Sequence, residues 1–252
     1  MEASHTLTLD IAGPFAGALG NHADNLVLRA ARALAGRAAT ALGAAITLTK
    51  NLPVASGIGG GSADAAATLR ALCRLWRLDM DADALAALGL SIGADVPVCL
   101  HGRTARVRGI GERISPVADL PETALLLVNP GVAVATGAVF AGRTGPYSAV
   151  MEMPPDFADA RALARGLAPF RNDLAPSACR LVPQIDEVLA SLAAEPDCLI
   201  ARLSGSGATC FGLFGSSQAA NEAALRIRKS HAAWWVKSGH LLAETPAPEP
   251  GG

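Results

Sequence analysis

The 252-residue chain is half apolar and carries 21 Lys and Arg against 22 Asp and Glu, for a formal charge of −1. Its cations are scattered singly, which excludes the basic footprint of a nucleic-acid or anionic-membrane surface. No run approaches the ~18 apolar residues of a membrane span, and MEASHTLTLD lacks the basic-then-apolar order of a secretion signal, so a cytoplasmic protein of one large or two modest domains is expected.

The five cysteines (Cys73, Cys99, Cys179, Cys198, Cys210) are far apart and form no Cys-x-x-Cys pair, and the five histidines have no ligand spacing. Reduced thiols and no zinc site are the expectation.

HTLTLDI, His5 to Ile11, alternates polar and apolar residues and reads as a strand ending at Gly13-Pro14. Asn25 is placed to cap the helix LVLRAARALAGRAATAL. AAITLTK, Ala44 to Lys50, reads as a strand that runs into a glycine-rich loop, and a helix is expected from Ser62 to about Trp76. Asp81 caps a further helix to about Leu90. TARVRGIGERISPV has the form of two short strands around Gly109 to Gly111, and ALLLVNPG of a buried strand stopped by Pro130-Gly131. Residues 144–170 weaken into prolines and mixed polarity, suggesting loops with one helix. Then come a helix near Cys179 to Ala194, strands CLIARLSG and ATCFGLFG, a helix from Ser217 to about Ser230, the strand AWWVKSGHLL, and a tail from about residue 245 expected to be disordered. The mixture lacks the regular alternation of a doubly wound sheet. An α+β protein of two lobes, residues 1–120 and 121–252, is the expected architecture.

The stretch SGIGGGSADAAATLRAL, Ser56 to Leu72, carries glycines at 57, 59, 60 and 61 and then a helical pattern. Glycines admit positive φ and bring backbone N–H groups close to a ligand. A helix N-terminus adds unpaired N–H groups and the positive end of its dipole, which together suit phosphate. A Walker A loop would end in Gly-Lys-Ser/Thr, but Gly61-Ser62-Ala63 has no lysine. A Rossmann fingerprint would need glycine where Ser62 stands. A ligand-free turn needs one or two glycines, not four.

Pro53-x-x-x-Gly57-Ile58-Gly59-Gly60-Gly61-Ser62-Ala63 resembles the phosphate loop of the GHMP kinases. The flanking text NLPVASGIGGGSADAAA is most similar to the branch of that superfamily that phosphorylates diphosphocytidyl-methylerythritol in isoprenoid precursor synthesis. DNLVLRAARAL, GADVPVCL, RGIGERISPV, VNPGVAVATGAVF, RNDLAP and ARLSGSGATCFGLF resemble further stretches of that branch, in its order, so that the likeness runs from Leu7 to about Leu242.

The resemblance implies a two-lobed fold, with an N-terminal lobe like domain 2 of ribosomal protein S5 and a ferredoxin-like C-terminal lobe. It implies ATP and Mg²⁺ as cofactors and a small-molecule cytidine diphosphate as substrate, without nucleic acid or membrane, in a monomer or weak homodimer. Pro53, Val54, Ala55, Ser56, Gly57, Ile58, Gly59, Gly60, Gly61, Ser62 and Ala63 would hold ATP, with the Ser62 hydroxyl near Mg²⁺. Asp95 would be the catalytic aspartate, although its place in Gly93-Ala94-Asp95-Val96-Pro97 also suits a cap or turn residue. Thr136, Phe140, Ser204, Gly205, Ser206 and Gly207 would contact substrate; Phe140 equally suits a core, and SGSG equally suits a plain hairpin. Asp64, in the first turn of the helix, reads as a dipole-stabilising residue.

The resemblance also includes Lys-x-Asn-Leu, whose lysine pairs with the aspartate, and Asp-Gly-Tyr-His, which helps hold cytidine; neither stands in these 252 residues. A start at an internal strand of the first lobe is therefore expected, with Asp95 deprived of that cation. A homoserine-type GHMP kinase and a non-catalytic nucleotide-binding remnant are the alternative readings.

Overall fold

The computed structural model describes residues 1–19, 24–37, 42–154 and 156–242. The described residues divide into two compact units, one taking Met1–Val54 and Gly59–Val117, the other Ala55–Ile58 and residues 118–242. Each has its own apolar core. The expected disordered tail lies outside the described residues.

In the first unit, β1 (Glu2–Ser4), β2 (Leu7–Ala12) and β3 (Gly43–Thr49) form a sheet in the order β1-β3-β2. β2 and β3 run parallel, Leu7 opposite Ala44 through Ala12 opposite Thr49, and α1 (Leu26–Ala35) lies between them in the chain. Asn25 caps α1, its Oδ1 accepting from the Val27 N–H at 2.9 Å. The helix ends at Gly36, short of the expected run to Leu42, of which residues 38–41 lie outside the described residues. Val27, Ala30, Ala31 and Leu34 recur at helical spacing and are buried with Ala65, Ala66, Leu69 and Leu72 of α2 (Gly60–Trp76). The alanines on both helices keep these backbones close. The Trp76 indole N–H donates to Gly43 O at 3.1 Å, fixing the end of α2 to the start of β3.

α3 (Ala82–Ile92) starts at Asp81, whose Oδ1 accepts from the Ala84 N–H at 2.7 Å. α4 (Val96–His101) is a short helix that follows Asp95, which the sequence reading allowed as a cap or turn residue. Pro97 stands in its first turn, where a missing N–H costs nothing. β4 (Ala105–Arg108) and β5 (Arg113–Pro116) form the expected antiparallel pair.

The second unit is built on β6 (Thr123–Asn129), β7 (Cys198–Leu203), β8 (Cys210–Phe214) and β9 (Trp235–Leu241), in the antiparallel order β7-β8-β6-β9. With α9 (Ser217–Ser230) between β8 and β9 and helices between β6 and β7, this is the split βαβ arrangement of ferredoxin-like folds. α5 (Thr136–Ala141) and α6 (Ala160–Leu167) follow β6. The expected single helix over Cys179 to Ala194 is two, α7 (Ala175–Leu181) and α8 (Gln184–Ala193). Pro183 supplies the break by forcing Val182 out of helical geometry, to φ −136 and ψ 85. Ile185, Val188 and Leu192 of α8 and Ala220, Ala223, Ala224 and Ile227 of α9 share a core with Leu126, Val128 and Phe214. No described helix is long and apolar enough to cross a membrane.

Candidate active site

In the first unit, β3 delivers the chain to Lys50, and α2 begins ten residues later at Gly60. The helix starts two residues before the expected Ser62, because Gly59 takes a left-handed N-cap conformation, φ +71, that favours glycine. Gly60, Gly61 and Ser62 are then the first three helical residues, whose amides have no acceptor within the helix. The positive end of a 17-residue helix coincides with these amides.

Lys50 is only 5% exposed, and its ammonium donates to Asp64 Oδ2 at 2.6 Å. A Cβ built on Gly60 would lie 3.4 Å from Lys50 Nζ, so this buried cation sits against the first turn of α2. Because α2 begins at Gly60, Asp64 is its fifth residue, past the first turn in which the sequence placed it, and its partner is the Lys50 ammonium.

Asp95 is the N-cap residue of α4, but its side chain makes no capping hydrogen bond and is exposed. Its position depends on Gly111 in the β4–β5 turn, which has φ +119 and packs its Cα against the Ala94 carbonyl with no room for a Cβ. The Arg70 guanidinium donates to the Leu100 carbonyl, tying α2 to α4. Burial raises the pKa of Cys99, the Asp95 and Asp64 charges raise it further, and Arg70 opposes them. The two carboxylates therefore act electrostatically on one neighbourhood.

In the second unit, the strand-to-strand segment from Ser204 to Thr209 is folded back on itself. The Ser204 N–H donates to Thr209 O and the Gly207 N–H to Ser204 O, each at 2.9 Å. Gly205 and Gly207 have φ +54 and +90. Ser56 and Gly57 are strapped to this segment: the Thr209 N–H donates to Ser56 O at 3.1 Å, and the Ser204 hydroxyl to Gly57 O at 2.8 Å. A Cβ on Gly57 would stand 2.8 Å from both Gly207 N and O, and closer still to Ser204 O. The buried Asn129 amide donates to Thr209 Oγ1 at 2.9 Å and fixes the far end of the segment. The Ser206 and Thr136 hydroxyls lie 2.9 Å apart. Phe140, on the same helix as Thr136, is 51% exposed, while Val139 beside it fills the core. The ring is thus on the surface and free to stack.

The chain matches the model of the GHMP kinases N terminal domain over residues 25–103 and that of the GHMP kinases C terminal domain over residues 149–233. Among curated proteins it is 50% identical over 240 residues to a 4-diphosphocytidyl-2-C-methyl-D-erythritol kinase of Paramagnetospirillum magneticum, covering 95% of this chain and 84% of the relative. It is 52% identical over 244 residues to the protein of the same name in Cereibacter sphaeroides, covering 95% and 84%. The chain belongs to the GHMP kinases, in their 4-diphosphocytidyl-2-C-methyl-D-erythritol kinase branch.

This GHMP kinase also resembles a solved 4-(cytidine 5'-diphospho)-2C-methyl-D-erythritol kinase, with 34% identity, a TM-score of 0.70, and coverage of 92% of this chain and 82% of the other. A homoserine kinase from Cytophaga hutchinsonii, at 20% identity and a TM-score of 0.69 over 94% and 83%, shares the fold.

Of the expected site residues, Pro53, Val54, Gly59, Gly60, Gly61, Ser62, Ala63 and Asp95 belong to the first unit, and Ala55, Ser56, Gly57, Ile58, Thr136, Phe140 and Ser204 to Gly207 to the second. The structure joins Gly57 to Ser204 and Thr136 to Ser206. Lys50 was missed by sequence reasoning. Its signal was a lone lysine closing an apolar strand immediately before the glycine loop.

Proposed function

We propose that this chain transfers the γ-phosphoryl group of ATP to the 2-hydroxyl of 4-diphosphocytidyl-2-C-methyl-D-erythritol. The observation that carries the reading is the identity of about half, over 95% of the chain, to proteins that bear that substrate in their name. The geometry is compatible with it. The first unit carries Asp95 and Gly59 to Ala63, and the second carries Ala55 to Ile58, Thr136, Phe140 and Ser204 to Gly207.

Phosphoryl transfer leaves the protein mainly positioning and charge stabilisation. The amides of Gly60, Gly61 and Ser62, at the positive end of α2, provide an electropositive cradle for the phosphates. The substrate hydroxyl oxygen bonds to the γ-phosphorus as the bond to the β–γ bridging oxygen breaks and ADP leaves. Asp95, whose carboxylate is not spent on capping, accepts the hydroxyl proton. Mg²⁺ bound with the nucleotide supplies neutralisation of phosphate charge. Magnesium sites on nucleotides need only one or two protein oxygens, and the Ser62 hydroxyl fits that demand. No group of three or more His, Cys, Asp or Glu forms a separate metal site among the described residues. The cytoplasm, where thiols stay reduced, suits five cysteines that are all free.

The test is ADP release in a coupled assay, with the cytidine substrate compared against homoserine. ADP formation dependent on the cytidine substrate supports the reading. Dependence on homoserine would move the chain to another branch, and ATP binding without turnover on either alcohol would leave a nucleotide-binding protein.

A further inference from the structure

Asn172 lies between the end of α6 and the start of α7, half-buried, and its amide uses both donors and its acceptor. Nδ2 donates to Leu203 O at 3.0 Å and to Gly205 O at 2.7 Å, while Oδ1 accepts from the Leu174 N–H at 2.9 Å. The two carbonyls belong to the residues on either side of Ser204. One primary amide therefore fixes both peptides flanking the serine whose hydroxyl holds Gly57 O at 2.8 Å. The chemistry requires an amide: a carboxylate of the same shape would face two carbonyl oxygens with no proton to give, and glutamine would carry its donors a methylene too far.

We infer that Asn172 is a positioning residue for the reaction, which sets the Ser204–Gly207 segment and, through Ser204, the Gly57 peptide of the glycine loop. This rests on reading Ser204–Gly207 as part of the substrate site. Asn172 touches no reacting atom; it acts through the carbonyls of residues 203 and 205.

Asn172→Asp is the informative substitution, because it keeps the oxygen that accepts from Leu174 and so spares the entry to α7, while abolishing both donors to the segment. Two readouts apply to the full chain. The first is amide hydrogen exchange at Gly207 and Thr209, whose N–H groups are bonded to Ser204 O and Ser56 O. Exchange there should accelerate about tenfold, the effect of losing ~1.4 kcal/mol, while β6 and β9 stay protected. The second is a split in kinetics: KM for the cytidine substrate should rise about tenfold, with kcat within about threefold of the parent chain. Asn172→Ala, which adds no charge, should show the same pattern more weakly, and it replaces the aspartate variant if that one does not fold. Unchanged exchange at Gly207 and Thr209, or a KM equal to that of the parent chain, would overturn the inference. A parent chain inactive on the cytidine substrate would instead defeat the proposed function, and the exchange measurement would still decide the role of Asn172.

Discussion

At Asp95 the sequence left two roles open, catalytic aspartate and cap or turn residue; the residue occupies the N-cap position of α4, and its side chain makes no capping hydrogen bond. Asp95→Asn keeps the shape and removes the base, so turnover on the cytidine substrate should fall ~10²-fold or more with ATP affinity little changed. Steady-state kinetics with calorimetric ATP titration checks both halves. Lys50 and Asp64 make a second, asymmetric test. The lysine side chain is 6% exposed and the aspartate 27%. Asp64→Ala strands an ammonium in the interior, whereas Lys50→Met leaves a carboxylate that still reaches water. Urea unfolding should show Asp64→Ala less stable than the parent by ~1–3 kcal/mol and Lys50→Met by distinctly less. Equal losses would mean that the pair acts only as packing. Neither the pairing nor the burial of Lys50 was legible in the sequence, because Asp64 lies fourteen residues away and only the return of α2 along β3 brings the two charges together.

At the scale of elements, the glycine loop was legible because four glycines in five positions before a helical pattern have few uses. What each glycine does was not, since that depends on distant chain. Gly57 has φ +74 and is closed in by Ser204 and Gly207, residues nearly 150 positions away; Gly59 has φ +71 and nothing within 4 Å of its missing Cβ. Gly57→Ala should therefore abolish nucleotide binding, while Gly59→Ala should cost only the ~1 kcal/mol of left-handed strain. Gly60→Val should also lose ATP with the fold retained, because its side chain would point toward Lys50 Nζ and Leu52. Calorimetry with ATP and far-ultraviolet circular dichroism distinguish the three; an unchanged affinity in Gly57→Ala would remove the strap to Ser204 from the site. The boundaries that sequence reading misplaced have local causes of the same kind. Pro183 splits α7 from α8, and Gly59 as a left-handed cap lets α2 begin at Gly60.

For the whole molecule, alternation and helical spacing carried enough information for nearly every strand and for the helices that bury a continuous apolar stripe, such as α1 and α9. They carried little for α4 and α5, six residues each, where too few turns exist to display a period. Strand order lay beyond local pattern, because β6 sits between β8 and β9 only after the chain has returned from β7. The most direct measurement of the central claim is phosphorus NMR of this chain with ATP, Mg²⁺ and 4-diphosphocytidyl-2-C-methyl-D-erythritol. The expected result is one new phosphomonoester resonance growing in step with ADP, with the two diphosphate resonances of the substrate retained. Formation of ADP with inorganic phosphate alone, or no loss of ATP at all, would contradict the assignment of this chain as a kinase of that alcohol.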